Sequence, residues 1–275
     1  MFLYTVAMQE LTAPHLERLR PLVPTHREAG HMAFVHAIID GAQPGSVFVD
    51  DVAAPKSALA FNHSGFAFAL GQARGDLVAS VLPKLMAMPF MTAEPTGLWC
   101  TAPAWAPALR PFFKEEGSRD EFHFEPASAP PPPVLGDEYR LVPLDEGLAA
   151  AWGPGLDPWV VRIWGGPKAF ERDAFGMGVL FGDVLVAICT VCAVAGHSGA
   201  VEAEIEIGTD AVHRQKGLAA AAAFAFFDQC NERGLLPAWT CDSKNAASQR
   251  AAARVGFREF RKVAGFRMTT DNLRG

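Results

Sequence analysis

The chain has 275 residues, half of them hydrophobic and a fifth charged, which supplies enough apolar surface for a sizeable core and excludes a disordered polyelectrolyte. Its 24 Lys and Arg stand against 30 Asp and Glu, and the net charge of −6 argues against a general nucleic-acid partner. The longest apolar run, Leu218 to Phe227, has ten residues, half of the ~20 that a membrane span needs. The start Met1-Phe2-Leu3-Tyr4 lacks the basic segment of a secretory signal, and the five cysteines are odd in number and mostly scattered among apolar neighbours. A cytoplasmic protein with reduced thiols and no membrane association is the expectation.

In chain order, Pro14 to Arg20 and Glu28 to Ile39 have helical apolar spacing. Ser46 to Asp50, Ser57 to Phe61 and Gly65 to Leu70 read as short strands separated by turn residues. Asp76 to Met88 reads as a helix with a bend or break at Pro83. Gly97 to Thr101 and Glu121 to Glu125 read as strands, with a short helix at Pro107 to Lys114 between them. Then comes Pro126, followed by four consecutive prolines, Pro130 to Pro133. Such a run favours extended polyproline II and reads as a semi-rigid spacer. It predicts an N-terminal α+β domain over 1–125, a linker over 126–137 and a second domain over 138–275.

The second half is more regular. Tyr139 to Val142 predicts a strand, and Asp145 to Trp152 and Pro167 to Asp173 predict helices. Gly178 to Phe181, a Gly182-Asp183 turn and Val184 to Cys192 predict a hairpin. Val201 to Ile207 is a strand, Leu218 to Arg233 an Ala-rich helix, Pro237 to Cys241 a strand, Ala246 to Arg254 a helix, and Phe257 to Met268 strand-like. The two halves can be read as diverged copies of one fold, but only the second carries a ligand motif.

Charge is unevenly placed. From Val212 onward there are eleven Lys and Arg against five Asp and Glu, a surplus of +6, so the rest of the chain carries −12. A basic end on an acidic protein suggests a small anionic ligand. Within that end, a strand runs through a loop, Arg214-Gln-Lys-Gly217-Leu-Ala219, into a helix. Gly217 and Ala219 remove side-chain bulk where a ligand must approach backbone. Free amides at the helix start and the helix dipole favour phosphate, and Arg214 and Lys216 add formal charge. The loop is not a P-loop, because Gly-Lys-Ser/Thr is missing, and it lacks Gly-x-Gly-x-x-Gly.

These residues resemble motif A of the GNAT superfamily, the GCN-related N-acetyltransferases, whose signature is Arg/Gln-x-x-Gly-x-Gly/Ala. Downstream, Asn245-Ala-Ala-Ser248, Ala251 to Arg254 and Gly256-Phe257 are similar to the superfamily's second motif, an Asn-led helix ending in Gly-Phe. The resemblance covers Tyr139 to Met268. The Phe175-Gly-Met-Gly-Val-Leu hairpin and the layout of the whole chain are similar to bacterial members with an extra N-terminal domain.

The resemblance implies an α+β fold, with a C-terminal mixed β-sheet flanked by helices and splayed open beside Val201 to Ile207. Acetyl-CoA would enter the opening as co-substrate, with no metal. Its pantetheine arm would pair near Ile207, Gly208 and Thr209. Its pyrophosphate would sit on the amides of Arg214, Gln215, Lys216, Gly217, Leu218 and Ala219, and Asn245 and Ser248 would lie near the arm. The implied activity is transfer of acetyl to an amine of a small molecule or peptide.

Acetylation needs an unprotonated amine. Glu202, Glu204 and Glu206 alternate along one strand and so share a face, where crowding would raise a carboxyl pKa. They are the candidate general bases, Glu204 first, then Glu206, then Glu202. The alternatives are a solvated strand face, or recognition of a cationic substrate without proton transfer. Many members use a Tyr four residues before the Gly of Gly-Phe as acid for the departing thiolate. That position is Ala252 here, which leaves Cys241, Ser243, Ser248 or water, and favours a rival reading as a non-catalytic acyl-CoA sensor. Tyr4 and Tyr139 lie far along the chain from this segment.

Other residues carry less. Cys189-Thr-Val-Cys192 lacks the second pair of a zinc site. His26, His31 and His36 are spaced by five, which does not put ligands on one helix face. His213 precedes the phosphate-type loop and reads as a loop residue, with a cofactor or substrate contact as the alternative. Trp159 and Trp164 are candidates for lining an acceptor pocket.

Overall fold

Runs of β-branched and aromatic residues broken by Asp, Pro and Gly build a layered α+β protein, described in a computed structural model for residues 9–24, 32–87, 96–152, 155–195 and 202–274. The chain divides into two compact units. One takes residues up to Glu121 together with Arg261 onward, and the other takes Phe122–Phe260. This grouping differs from the expected division: the proline segment 126–137 lies inside the second unit, and the last fifteen residues, from Arg261, lie in the first. Proline run and domain boundary are separate features here.

In the first unit the strands are β1 (Gln9–Glu10), β2 (Gly45–Val49), β3 (Ser57–Asn62), β4 (Phe66–Gly71), β5 (Thr96–Cys100), the start of β6 (Gly117–Phe124) and the end of β12 (Phe257–Met268). β1 to β4 are antiparallel neighbours, β4 and β5 are parallel, and β5 pairs antiparallel with β12. The parallel pair follows from the crossover through α2 (Gly75–Met86). Pro83 lies within α2, which is not broken there. Among the described residues the other helices are α1 (Ala33–Ile39) and α3 (Trp105–Leu109), and the expected helix near Pro14 is a 3-10 turn over His15–Leu22. The core holds Phe48, Phe61, Trp105, Phe113 and Phe266, all fully buried. β3 is buried along its whole length, as an interior strand covered on both faces must be.

The second unit runs from the end of β6 through β7 (Tyr139–Pro143), α4 (Glu146–Ala150), α5 (Trp159–Ile163), α6 (Pro167–Asp173), β8 (Gly176–Phe181) and β9 (Val184–Ala195). It continues through β10 (Glu202–Thr209), α7 (Leu218–Glu232), β11 (Leu236–Asp242) and α8 (Ala246–Arg254) into the start of β12. β7, β8, β9 and β10 are successive antiparallel neighbours, and β10 and β11 are parallel across the α7 crossover. Asp145 starts α4 by accepting a hydrogen bond from the Leu148 amide at 2.8 Å. The buried face of α7 meets the sheet through Phe226, stacked on Phe175, and Phe227, which joins Phe124, Phe257 and Trp239 in one aromatic cluster.

Among the described residues no helix is long and apolar enough to cross a membrane, and no group of three or more His, Cys, Asp or Glu could hold a metal ion. Tyr4, His26, His31 and Val201 lie outside the described residues.

Candidate active site

The site begins where two parallel strands part. β10 and β11 are in register at Glu202↔Leu236, Ala203↔Pro237 and Glu204↔Ala238. The register ends there, while β10 runs on to Thr209 and β11 to Asp242. On its other edge β10 passes from Glu204↔Ala193 to Ile205↔Val191, which leaves Cys192 of β9 as an extra residue. Such an irregularity bends the strand and increases its twist at the point where the partner strand is lost.

Glu204 sits at that fork. Its side chain is buried, and its Oε1 accepts a hydrogen bond of 2.7 Å from the Thr240 hydroxyl of β11. The next residue back, Trp239, donates from Nε1 to the Ser248 hydroxyl of α8 at 3.0 Å. Successive strand residues face opposite ways, so Glu204 and Thr240 lie on the sheet face away from α8. Glu202 is also buried, and Glu206 is half-buried.

Beyond the fork the loop before α7 is tightly specified. Asp210 accepts from the Val212 amide at 3.1 Å and starts a 3-10 turn over Ala211–His213. Arg214 Nε donates to the Thr209 carbonyl at 3.1 Å. Gln215 then adopts φ +65, and Gly217 precedes the helix at φ +77. A Cβ at Gly217 would be strained by that φ and would meet Pro133 at 3.1 Å. No side chain caps α7, and no acidic residue occupies its first turn. Its first amides and dipole are therefore available to an anion.

A cavity of about 150 Å³ opens at this point. Of the residues singled out in the sequence, Ile207, Thr209, Arg214, Gln215, Gly217, Leu218 and Ala219 line it. Gly208, Lys216, Asn245 and Ser248 do not. Asn245 caps α8 by accepting from the Ser248 amide at 3.1 Å, and the Ser248 hydroxyl is engaged by Trp239. Lys216 Nζ points to the Tyr139 hydroxyl, 2.7 Å away.

Sequence reading passed over other lining residues. Ala251 and Arg254 come from α8 and Val255 directly follows it, and the spacing i, i+3, i+4 that brings them to one side was available in the motif itself. Arg254 brings a second exposed guanidinium to the cavity beside Arg214. Ala252 is fully buried. His213 also lines the cavity.

Tyr139 is a correction. Far from the site along the chain, it is brought to the phosphate-type loop by the fold, with its hydroxyl 3.0 Å from His213 Nδ1. Trp164 is buried, and its Nε1 donates to the Val191 carbonyl at 3.1 Å.

Burial is the main influence on three of the cysteines. All five are unbridged thiols and buried. Desolvation pushes the thiols of Cys100 and Cys230 up to about 12 and that of Cys189 well above its ordinary value, so these three are not nucleophiles at neutral pH.

Comparison with known proteins agrees with this geometry. The family model described as GNAT acetyltransferase matches residues 24–266, and the chain belongs to that family. The match reaches well upstream of Tyr139, where the recognisable motifs begin. The chain is 28% identical over 232 residues to an uncharacterized N-acetyltransferase, YdfB, of Bacillus subtilis (strain 168), covering 82% of this chain and 86% of that protein. Its fold is similar to that of a GCN5-related N-acetyltransferase-like protein from Streptococcus suis 89/1591, with a TM-score of 0.65, 21% identity, and coverage of 94% of this chain and all of the other. It is also similar to a tandem GNAT protein from the clavulanic acid biosynthesis pathway, with a TM-score of 0.59, 14% identity, and coverage of 94% and 97%. The family and fold support acyl-CoA-dependent transfer in general and imply binding of acetyl-CoA.

Proposed function

We propose that the protein is an N-acetyltransferase that moves acetyl from acetyl-CoA to an amine of a small molecule or peptide by direct attack, in the cytoplasm and without a metal, nucleic-acid or membrane partner. The observation that carries this reading is the parting of β10 from β11 at Glu204, in front of an uncapped helix that Gly217 introduces. Acetyl-CoA fits these residues: its pyrophosphate would rest on the amides from Arg214 to Ala219, flanked by Arg214 and Arg254. Its pantetheine arm would run beside Ile207 to Thr209, where β10 has lost its register with β11. The co-substrate supplies the activated acyl thioester, and the chain supplies position and proton transfer.

An alkyl amine with a pKa of about 10.4 must lose a proton at neutral pH, at a cost of about 4.6 kcal/mol. Glu204 is the group that receives it. Its carboxylate is buried at the fork and oriented by Thr240, and Glu202 and Glu206 on the same strand add negative charge that attracts a cationic acceptor. Ala252 has no proton to give, so the CoA thiolate leaves without the Tyr acid used by many relatives. The first unit, residues up to Glu121 together with Arg261 onward, is the extra domain of a two-domain bacterial arrangement.

The buried Ala252 also favours a second reading, a non-catalytic acyl-CoA-binding module. Two measurements separate these. Calorimetry with CoA is expected to give binding to the native chain and none measurable to Gly217→Glu, where a carboxylate and a strained φ replace the cradle; equal affinity in the two proteins removes the site assignment. Thiol release from acetyl-CoA across a panel of amines is expected to show turnover. Binding with no turnover on any amine favours the module.

A further inference from the structure

We propose that Tyr139 is a positioning residue of the phosphate-type loop, and that Lys216 serves as the tether to it rather than as a direct phosphate ligand; this rests on the acyl-CoA reading of the same loop. The loop needs an outside anchor. Gln215 stands at φ +65, a left-handed conformation that is unfavourable for a non-glycine residue and persists only where surroundings impose it. The residues on either side of it, His213 and Lys216, converge on one phenol. Lys216 Nζ donates to the Tyr139 hydroxyl at 2.7 Å, and that hydroxyl lies 3.0 Å from His213 Nδ1. The donor pattern closes when the hydroxyl donates in turn to Nδ1 of a neutral imidazole whose proton is on Nε2.

The ring adds to the grip. The Lys216 ammonium lies 5.3 Å from the Tyr139 centroid, His213 meets the ring edge-on at 5.8 Å, and Phe181 flanks both at 5.4 and 4.9 Å. Tyr139 itself is 8% exposed and belongs to a strand, with Tyr139↔Phe181 in register and its amide bonded to the Gly136 carbonyl at 2.9 Å. A rigid element thus holds a strained loop through two side chains. Lys216, although its position in the motif suggests a phosphate ligand, is absent from the cavity lining that Arg214, Gln215 and Gly217 share. A loop held in its binding conformation avoids an ordering cost when the anion arrives, which strengthens affinity without touching the chemistry.

The test is a double-mutant cycle with steady-state kinetics. Tyr139→Phe keeps the ring and removes the acceptor, and Lys216→Met removes the donor at an exposed site that the fold tolerates. Lys216→Met is expected to raise KM for acetyl-CoA about tenfold, the loss of one hydrogen bond to a charged group, and Tyr139→Phe, which also releases His213, at least as much, each with kcat within twofold. The double variant is expected to be no worse than Tyr139→Phe alone, because the bond that Lys216→Met removes is one of the two that Tyr139→Phe removes. KM for acetyl-pantetheine, which has no pyrophosphate, is expected to stay unchanged in all three. Additive losses, or a Lys216→Met effect far larger than that of Tyr139→Phe, would make Lys216 a direct ligand and overturn the tether. Equal KM increases for both acyl donors would also overturn it. Failure of the native chain to bind CoA at all would instead remove the acyl-CoA reading, and is visible before any variant is made.

Discussion

Both units contain a parallel strand pair joined through a helix, β4–α2–β5 in the first and β10–α7–β11 in the second. In the first, the register runs from Phe66↔Gly97 to Ala69↔Cys100, the last residue of β5. Thr101 then closes the end, its amide and hydroxyl both donating to the Ala69 carbonyl at 3.3 and 2.7 Å. Trp105 fills the space beyond and donates to the Gly71 carbonyl at 3.1 Å. The cation before the helix, Arg74, is paired with Asp76 and Asp50. In the second crossover the register stops after three pairs, and no acid occupies the first turn of α7. Arg214 donates from its guanidinium to the carbonyl of Thr209, the last residue of β10, and lines a cavity with Arg254. One topology therefore gives a sealed core or an anion cradle, according to whether the strand ends are closed and whether the helix start is already neutralised.

That contrast can be broken at either crossover. The largest effect is expected at the fork: Glu204→Gln should lower kcat by about a hundredfold to ten-thousandfold, the usual range for a general base, and flatten its dependence on pH. An unaltered pH profile would leave Glu204 a bystander. At the closed crossover, Trp105→Ala should cost about 3–5 kcal/mol of stability in denaturant unfolding, because it empties a fully buried site and leaves the Gly71 carbonyl unpaired. CoA affinity of the folded variant should stay within about twofold; a large loss of affinity would mean that the closed crossover takes part in binding. The smallest effect is expected from thiol reagents. With Cys100 and Cys230 pushed up to about 12 by burial, labelling of the native protein at pH 8 should be negligible, rising to five thiols on unfolding. Rapid labelling of a native thiol would reveal an opening at whichever crossover carries it.

Much of the second crossover was readable from local order. Arg214 to Ala219 are contiguous, and a loop with a glycine at a helix start states its own conformation, since φ +77 at position 217 excludes most side chains. The spacing of Ala251 and Arg254 stated which face of α8 turns to the cavity. The limits of α6, α8 and β12 also followed from pattern, because caps and periodicity act within a few residues. Non-local features were not readable. Cys192 stands out of register because of how two strands meet, and nothing in Cys189-Thr-Val-Cys192 announces it. The proline segment looks like a spacer by composition, yet Pro133 lies against the cradle glycine and Ala129 against Gly256.

Local sequence was therefore sufficient for the family, the chemistry of the loop and the carboxylates of one strand, because those depend on neighbours a few positions apart. It was silent on how those carboxylates and that loop are held. The fork at which Glu204 sits depends on a register between strands 34 residues apart, and the phenol that ties down Lys216 arrives from 77 positions upstream. Contacts of that span arise only when the whole sheet closes, since no short-range preference encodes them.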